Sequence, residues 1–215
     1  MHDALTATGR PIVFSLSQYG MSNVWEWGAE VGGNLSRTTG DISDKYDRMS
    51  LIGFQQAGLS HYARPGYWND PDMLEIGNGG MTLDEYQTHM SLWAILAAPL
   101  LAGNDLSKVS LEHLAILENK NAIAIDQDPL GKQGDRISAL GPYEVWTKPM
   151  ADGRIAIGLF NRGELAYNMT VDLRQIGVSR NAHVHDVWAD ADIQYHDVIT
   201  TLVPKHGVVL LLTTP

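Results

Sequence analysis

The chain has 215 residues, 44% of them hydrophobic, which is enough to bury one core or two. Its formal net charge of −10, with no basic stripe to oppose it, disfavours nonspecific nucleic-acid binding. No segment reaches the roughly 18 to 20 apolar residues of a membrane helix, and the absence of cysteine excludes disulfides and thiolate chemistry. We therefore expect a globular protein whose partners include neither nucleic acid nor a membrane.

Residues 1–133 alternate between strand-like and helical segments. Four strands are predicted, the last of them short and buried, near residues 12, 35, 67 and 101. Helical spacing of apolar side chains over 44–59 predicts a helix, and Thr82 with Glu85 forms a capping box that opens a second. A third helix is predicted over 110–119. This alternation of strands and helices is typical of a parallel α/β architecture.

The pattern changes near Gly134. Seven short runs rich in β-forming residues follow, over 136–140, 143–148, 154–161, 166–173, 183–188, 198–204 and 208–213. Pairs such as Asp152-Gly153 and His206-Gly207 are turn signals between them. Runs of this length predict an antiparallel, sandwich-like all-β domain over 134–215, so we place a domain boundary between residues 133 and 134.

Two motifs place carboxylates directly after predicted strands. Arg37-Thr38-Thr39-Gly40-Asp41 follows the strand near residue 35, and Trp68-Asn69-Asp70-Pro71-Asp72-Met73 begins in the next one. A (β/α)₈ barrel keeps its reactive groups at the C-terminal ends of its strands. Both motifs also have a structural interpretation, because Asp41 could cap the helix after it and Asn-Asp-Pro-Asp could be a turn bonding its own backbone.

Five segments in order resemble one known enzyme family. They are Pro11–Leu16, Val24–Gly28, Arg37–Asp41, Trp68–Met73 and Ile125–Gly134. Together they resemble the second half of a melibiase-type α-galactosidase of glycoside hydrolase family 27. The resemblance is dense up to about Gly134 and only a likeness of pattern beyond it. It implies strands five to eight of a (β/α)₈ barrel over residues 1–133, followed by the family's antiparallel β-domain.

The count of strands agrees with half a barrel. A complete (β/α)₈ barrel takes about 250 residues and eight strands, whereas residues 1–133 supply four candidates. We therefore expect this chain to be a fragment that lacks strands one to four. Three kinds of partner follow: a galactoside or related sugar, a second chain carrying the first half of the barrel, or another copy of this chain.

The resemblance also assigns roles to four residues after the strands. Asp41 matches the catalytic acid/base, and Arg37 beside it matches a ligand of a sugar hydroxyl. Asp72 matches a carboxylate that binds a substrate hydroxyl, and Met73 lines the pocket. We expect no cofactor and no metal in this chain.

The catalytic nucleophile is the part we expect to be missing. Retaining glycosidases need two carboxylates about 5 to 5.5 Å apart. The family carries its nucleophile in a Lys-Tyr-Asp motif at the end of the fourth strand. The one such motif here, Lys45-Tyr46-Asp47, lies in a predicted helix, and we interpret it as a chance match. The isolated chain is therefore expected to be inactive.

The expected substrate is a terminal α-D-galactoside, hydrolysed with retention. The segment that surrounds the sugar's 2-position in the family reads Ser17-Gln18-Tyr19-Gly20 here, where the plant pattern is Cys-Glu-Trp-Gly. α-N-Acetylgalactosaminidases of the family have small residues at the first and fourth positions, as Ser17 and Gly20 are. An α-N-acetylgalactosaminidase or related α-glycosidase is thus an alternative, and a noncatalytic carbohydrate-binding or assembly remnant is another.

Overall fold

The computed structural model describes residues 1–179, 182–195 and 197–214. Its first part consists of short parallel strands and six helices, in the order α1 His2–Thr6, β1 Ser15–Leu16, α2 Val24–Trp27, β2 Leu35–Arg37, α3 Tyr46–Phe54, β3 Trp68–Asp70, α4 Leu83–Leu96, α5 Leu111–Leu117 and α6 Lys120–Asp126. In this described part of the chain, no helix is long and apolar enough to cross a membrane.

The three strands form one parallel sheet in the order β1-β2-β3. Leu35 of β2 lies opposite Ser15 of β1 and Trp68 of β3, and Arg37 lies opposite Asp70. Because side chains alternate along a strand, these five residues share one face of the sheet. The other face is covered by the helical layer and its loops.

The predicted fourth strand is reduced to a single bridge. Ala102 pairs with Leu74 in parallel, but the Leu101 side chain is 50% exposed, so the prediction of a short buried strand was wrong. The Leu101 N–H donates to the carbonyl oxygen of Pro99 instead of a neighbouring strand. Proline itself has no N–H for a ladder, and these two effects leave this edge of the sheet irregular.

Local capping signals fix the helices. Thr82 and Glu85 make the reciprocal capping box that the sequence predicts, and α4 ends at Ala97 in a left-handed conformation. Helix α6 was not predicted. Its N-cap is Asn119, which follows the end of α5 closely. The Asn119 side chain accepts a hydrogen bond from the backbone N–H of Ala122.

The second part is a two-sheet β-sandwich. Its strands are β4 Asp135–Leu140, β5 Tyr143–Pro149, β6 Ile155–Asn161, β7 Tyr167–Asp172, β8 Val184–Asp186, β9 Ala191–Ile193, β10 Val198–Val203 and β11 Val208–Thr213. Six strands form one antiparallel sheet in the order β4-β5-β6-β11-β8-β9, and β10 pairs with β7 in the other. All seven predicted runs contain a strand, whereas β9 was missed.

One hydrophobic core runs through both parts. Residues of α3 and α4, among them Phe54 and Trp93, pack in the same cluster as Trp146 of β5 and Phe160 of β6. A second cluster fills the space between the two sheets of the sandwich. The parallel sheet and the sandwich are therefore joined by buried apolar contact rather than by a linker.

The sheet face that carries Leu35 and Trp68 borders a cavity of about 590 Å³, which we call the hollow. Its other lining residues include Val13, Ala98 and Leu101. Val13 is 73% exposed, although an apolar side chain at the margin of a sheet is normally covered. An open apolar surface of this kind marks a place where other polypeptide or ligand packs.

Candidate active site

Arg37 brings the two predicted motifs together. It is the last residue of β2, and its Nη2 donates to Asp41 Oδ1 at 3.3 Å and forms an ion pair with Asp72 Oδ2 at 2.5 Å. Asp72 lies two residues beyond β3, the neighbouring parallel strand. The three charged groups predicted from the sequence thus form one cluster at the C-terminal ends of adjacent strands.

Asp41 presents its carboxylate to solvent. The side chain is 79% exposed and accepts a hydrogen bond from Arg37. Its backbone oxygen accepts from Arg48 Nε at 2.7 Å, which ties the loop to α3. The residue preceding α3 as its N-cap is Lys45, so the interpretation of Asp41 as a helix cap was wrong. The carboxylate therefore faces solvent, with Arg37 as its side-chain partner.

The Lys45-Tyr46-Asp47 sequence lies at the start of α3 and not at the end of a strand. Tyr46 is buried and its ring stacks on His206 of the sandwich, with centroids 3.7 Å apart. Desolvation raises the pKa of the Tyr46 hydroxyl to about 12. This tyrosine is a packing residue between the two parts of the chain, away from the Arg37 cluster.

Asp72 is held much more tightly than Asp41. Its side chain is 10% exposed and pairs with Arg37. The carboxylate also accepts the backbone N–H of Met73 at 2.8 Å and of Ile42 at 2.9 Å. Two backbone donors and one guanidinium ion pair therefore fix the orientation of this carboxylate.

Asp70 organises the loop beneath Asp72. Its Oδ1 accepts the Asp72 backbone N–H at 2.9 Å, as the turn interpretation of this motif expects. Burial raises the pKa of the Asp70 carboxyl, against the lowering effects of that hydrogen bond and of Arg37. The side chain is only 5% exposed, so Asp70 supports the loop from inside.

An acidic rim next to the cluster was not anticipated from the sequence. Burial raises the pKa of Glu75, and the charges of Asp44 and Asp72 raise it further. Asp44 accepts hydrogen bonds from the backbone N–H of Gly80 and the hydroxyl of Tyr86. The one sequence signal for this acidic rim was that Glu75 lies two residues after Met73. Met73 is 39% exposed.

Ser17 and Gly20 are the two ends of the segment that follows β1 and runs next to β2. Ser17 is exposed. Gly20 donates its N–H to the Arg37 carbonyl at 2.9 Å, and a Cβ there would lie 2.2 Å from the carbonyl oxygen of Thr38. Glycine is therefore required by the backbone approach itself, and its role in sugar binding stays a prediction. The guanidinium carbon of Arg37 lies 5.4 Å from the centroid of the exposed Tyr19 ring.

Two family models match the chain in succession. The model described as alpha galactosidase A matches residues 1–128, and the one described as alpha galactosidase C-terminal beta sandwich domain matches 140–213. The chain belongs to glycoside hydrolase family 27. This confirms the family, and with it the predicted fold class of a second half-barrel followed by an antiparallel β-domain. The boundary at residues 133 and 134 stays a prediction.

Among curated proteins, this family 27 chain is 44% identical to α-galactosidase 2 of Arabidopsis thaliana over 87% of its length and 48% of that protein's. It is 40% identical to the α-galactosidase of Cyamopsis tetragonoloba, covering all of this chain and 53% of the relative. It is 35% identical to the α-N-acetylgalactosaminidase of Gallus gallus, covering all of this chain and 57% of the relative.

A solved structure shows the same likeness. α-Galactosidase I of Mortierella vinacea superposes with a TM-score of 0.91 at 30% identity, covering 99% of this chain and 61% of that one. The chain thus spans about half the length of the curated relatives that it matches. Within its described residues, no group of three or more histidine, aspartate or glutamate side chains has the geometry of a metal site.

Proposed function

We propose that this chain forms the acid/base half of a retaining α-galactosidase that removes terminal α-D-galactosyl groups. The observation that carries the proposal is the convergence of Asp41, Arg37 and Asp72 at the ends of β2 and β3, in a chain of family 27. Each strand contributes one carboxylate, and the cation between them orients both.

The two carboxylates suit different tasks. Asp41 is exposed and accepts a hydrogen bond from Arg37 alone, so it can hold a proton and pass it to the glycosidic oxygen. Asp72 is buried and is held by two backbone N–H donors and by the Arg37 guanidinium, which orients its carboxylate as an acceptor for a sugar hydroxyl. The Arg37 guanidinium carries further N–H groups, and we assign Met73, which is partly exposed next to Asp72, to the lining of the sugar pocket.

Among the residues that the structure describes, the two other carboxylates at the ends of the strands, Asp70 and Asp72, are already engaged. Asp70 is committed to the Asp72 backbone N–H, and Asp72 to two backbone donors and the Arg37 guanidinium. Asp41 alone cannot form a glycosyl-enzyme intermediate, because retention needs a nucleophile as well as an acid/base. We infer that the nucleophile comes from polypeptide outside these residues and that the isolated chain does not turn over substrate.

The hollow indicates where that polypeptide packs. It adjoins the free edge of β1 and is lined by exposed apolar side chains, among them Val13 and Leu101. Four further strands would pair with this edge and cover the hollow, closing an eight-stranded barrel together with β1, β2, β3 and the bridged segment at Ala102. A separate chain or the rest of a longer one could supply them, and another copy of this chain is the remaining possibility.

An α-N-acetylgalactosaminidase is the second candidate function. The segment from Ser17 to Gly20 is bonded to the backbone of Arg37, so it borders the proposed sugar site. Both residues are small, which leaves room beside the sugar for a larger 2-substituent. The avian relative, at 35% identity, carries that activity in its name.

The test is reconstitution. The chain is purified alone and then mixed with the part of the Cyamopsis tetragonoloba enzyme that precedes its matched region. We expect no hydrolysis of nitrophenyl α-galactoside by the chain alone, and hydrolysis by the mixture. The N-acetylgalactosaminide is assayed in parallel and decides between the two substrates. Turnover by the isolated chain, abolished by Asp41→Asn, would show that the nucleophile assignment is wrong.

A further inference from the structure

The backbone at Asp72 is strained. Its φ is 93°, a region that L-residues rarely adopt, and one beyond the usual left-handed helical range near 60°. Such a conformation costs about 1–3 kcal/mol and persists only where surrounding contacts impose it. The contacts that impose it here identify the residues that aim the Asp72 carboxylate.

Both backbone polar groups of Asp72 are held by buried side chains. Asp70 accepts its N–H, and the carbonyl oxygen accepts the indole N–H of Trp93 at 2.7 Å. Trp93 lies in α4, 21 residues further along the chain, and its side chain is fully buried. The ring is itself fixed by an edge contact with His89, with centroids 4.1 Å apart. The indole is therefore an immobile donor to a strained peptide.

We propose that Trp93 is a positioning residue, which holds the Asp72 peptide in its strained conformation and so directs the carboxylate toward Arg37 and the sugar. The indole touches no reacting group and acts through the carbonyl of Asp72. This inference rests on the proposed function only where it assigns a sugar to Asp72. The geometric part, that Trp93 imposes φ at Asp72, stands on the hydrogen bond and the strain alone.

Two variants separate positioning from packing. Trp93→Phe keeps an aromatic ring but removes the donor. Trp146→Phe is the matched control, because Trp146 is also fully buried and its indole donates to Glu144 at 2.9 Å, in the sandwich. Replacing the Trp93 indole by benzothiophene, which keeps the shape and loses the N–H, serves if Trp93→Phe does not fold.

The first readout is the backbone of the isolated chain. NMR couplings that report the sign of φ should show Asp72 leaving the positive region in Trp93→Phe or the benzothiophene form, and staying there in Trp146→Phe. Asp72 remaining at positive φ without the Trp93 donor would overturn the proposal. This result does not depend on any catalytic activity.

The second readout is the reconstituted enzyme. We expect kcat/KM for nitrophenyl α-galactoside to fall about tenfold in Trp93→Phe, because a displaced Asp72 carboxylate no longer orients the sugar. In Trp146→Phe, kcat/KM should change less than about twofold. Equal losses in both variants would mean a general packing role and would overturn the proposal. If the wild-type mixture is inactive, the proposed function fails, and the NMR result still decides whether Trp93 positions Asp72.

Discussion

At the scale of single residues, the candidate site depends on close backbone approaches as much as on charged groups. Gly20 shows this most clearly, because its N–H donates to the Arg37 carbonyl of β2 and its Cα lies against the Thr38 carbonyl. The resemblance to the family predicts that Gly20 leaves space near the sugar because it is small. The structure adds a reason that operates without any substrate, and this reason can be tested separately.

Gly20→Ala should destabilise the chain by about 2 kcal/mol or more. The new Cβ would meet the Thr38 carbonyl at 2.2 Å, and φ is already +78°. Gly58→Ala is the matched control, because Gly58 has φ +85° and nothing within 4 Å of its Cβ position. Its cost should be about 1 kcal/mol, from φ alone. Urea unfolding gives both values, and equal costs would contradict the steric account.

Arg37→Ala should lower the free energy of unfolding by about 2–3 kcal/mol. It removes the guanidinium from Asp72, whose carboxylate is 10% exposed and would remain buried without its cation. Arg64→Ala is the control, because Arg64 is exposed and its guanidinium carbon lies 5.9 Å from the Tyr67 ring. Its cost should stay below about 1 kcal/mol. Denaturant midpoints compare them, and similar losses would show that the Asp72 pair is weak.

At the scale of elements, the sandwich is fastened to α3 through a buried carboxylate. Glu144 of β5 is 1% exposed and pairs with Arg162 at 2.6 Å and with Arg136 at 3.4 Å. Arg162 reaches across to α3, where its Nε bonds Ser50 and its guanidinium lies over the Phe54 ring. The strand and the helix are thereby joined by one charged network.

Glu144→Ala should destabilise the chain by about 2–4 kcal/mol, because it leaves two guanidinium groups and the Trp146 indole without their acceptor. Glu112→Ala, at an exposed position in α5, should change stability by less than about 0.5 kcal/mol. Thermal unfolding of the two variants measures the difference. A Glu144→Ala chain as stable as the control would mean that the network contributes nothing.

The sequence was informative about elements where their signals are local. The Thr82 capping box lies within four residues, so α4 could be located from the sequence, and turn residues likewise separated the sandwich strands. Helix α6 was missed because its cap at Asn119 follows the end of α5 without a break. The segment at Leu101 was predicted to be buried from its apolar composition. It is exposed, because burial depends on which residues pack against a segment.

The same distinction applies to the site. The convergence of Arg37, Asp41 and Asp72 could be predicted, because each belongs to a motif at a strand end. The donors from Ile42 and Trp93 could not, since they reach Asp72 across 30 and 21 residues of sequence. Contacts of that range depend on the packing of α4 against the loop, which no local pattern reports.

At the scale of the whole molecule, a buried pair lies at the junction of the half-barrel and the sandwich. Lys148 of β5 is fully buried, and its Nζ donates to the carbonyl oxygens of Ala94 and Asp126, each at 3.2 Å. Burial raises the pKa of Asp126 to about 7 and lowers that of Lys148 to about 8. The junction therefore titrates near neutral pH.

The contribution of Asp126 to stability should fall as pH rises from about 4 to about 7, opposite to that of the buried His89, whose pKa burial lowers to about 3. The pKa of Asp126 is 3.8 in the unfolded chain and about 7 in the folded chain, so the folded chain binds more protons in this window. Lys148 acts above it, because its lowered pKa makes stability rise between about pH 8 and 10.5. The urea midpoint of wild type minus that of Asp126→Asn should fall as pH rises across pH 4–7, whereas the difference between wild type and Glu112→Gln should stay constant. Equal slopes in wild type and Asp126→Asn would contradict the assignment.

The central claim is that Asp41 is the acid/base, and its leaving-group dependence in the reconstituted enzyme tests this most directly. General acid assistance matters most when the leaving oxygen is basic, and is typically worth about 10²–10⁴ in rate. Asp41→Ala should therefore lower kcat/KM, which reports the glycosylation step, about 100-fold or more for an alkyl α-galactoside and less than about fivefold for a dinitrophenyl α-galactoside, with the anomeric configuration retained. Equal losses of kcat/KM for both substrates, or an inverted product, would contradict the account.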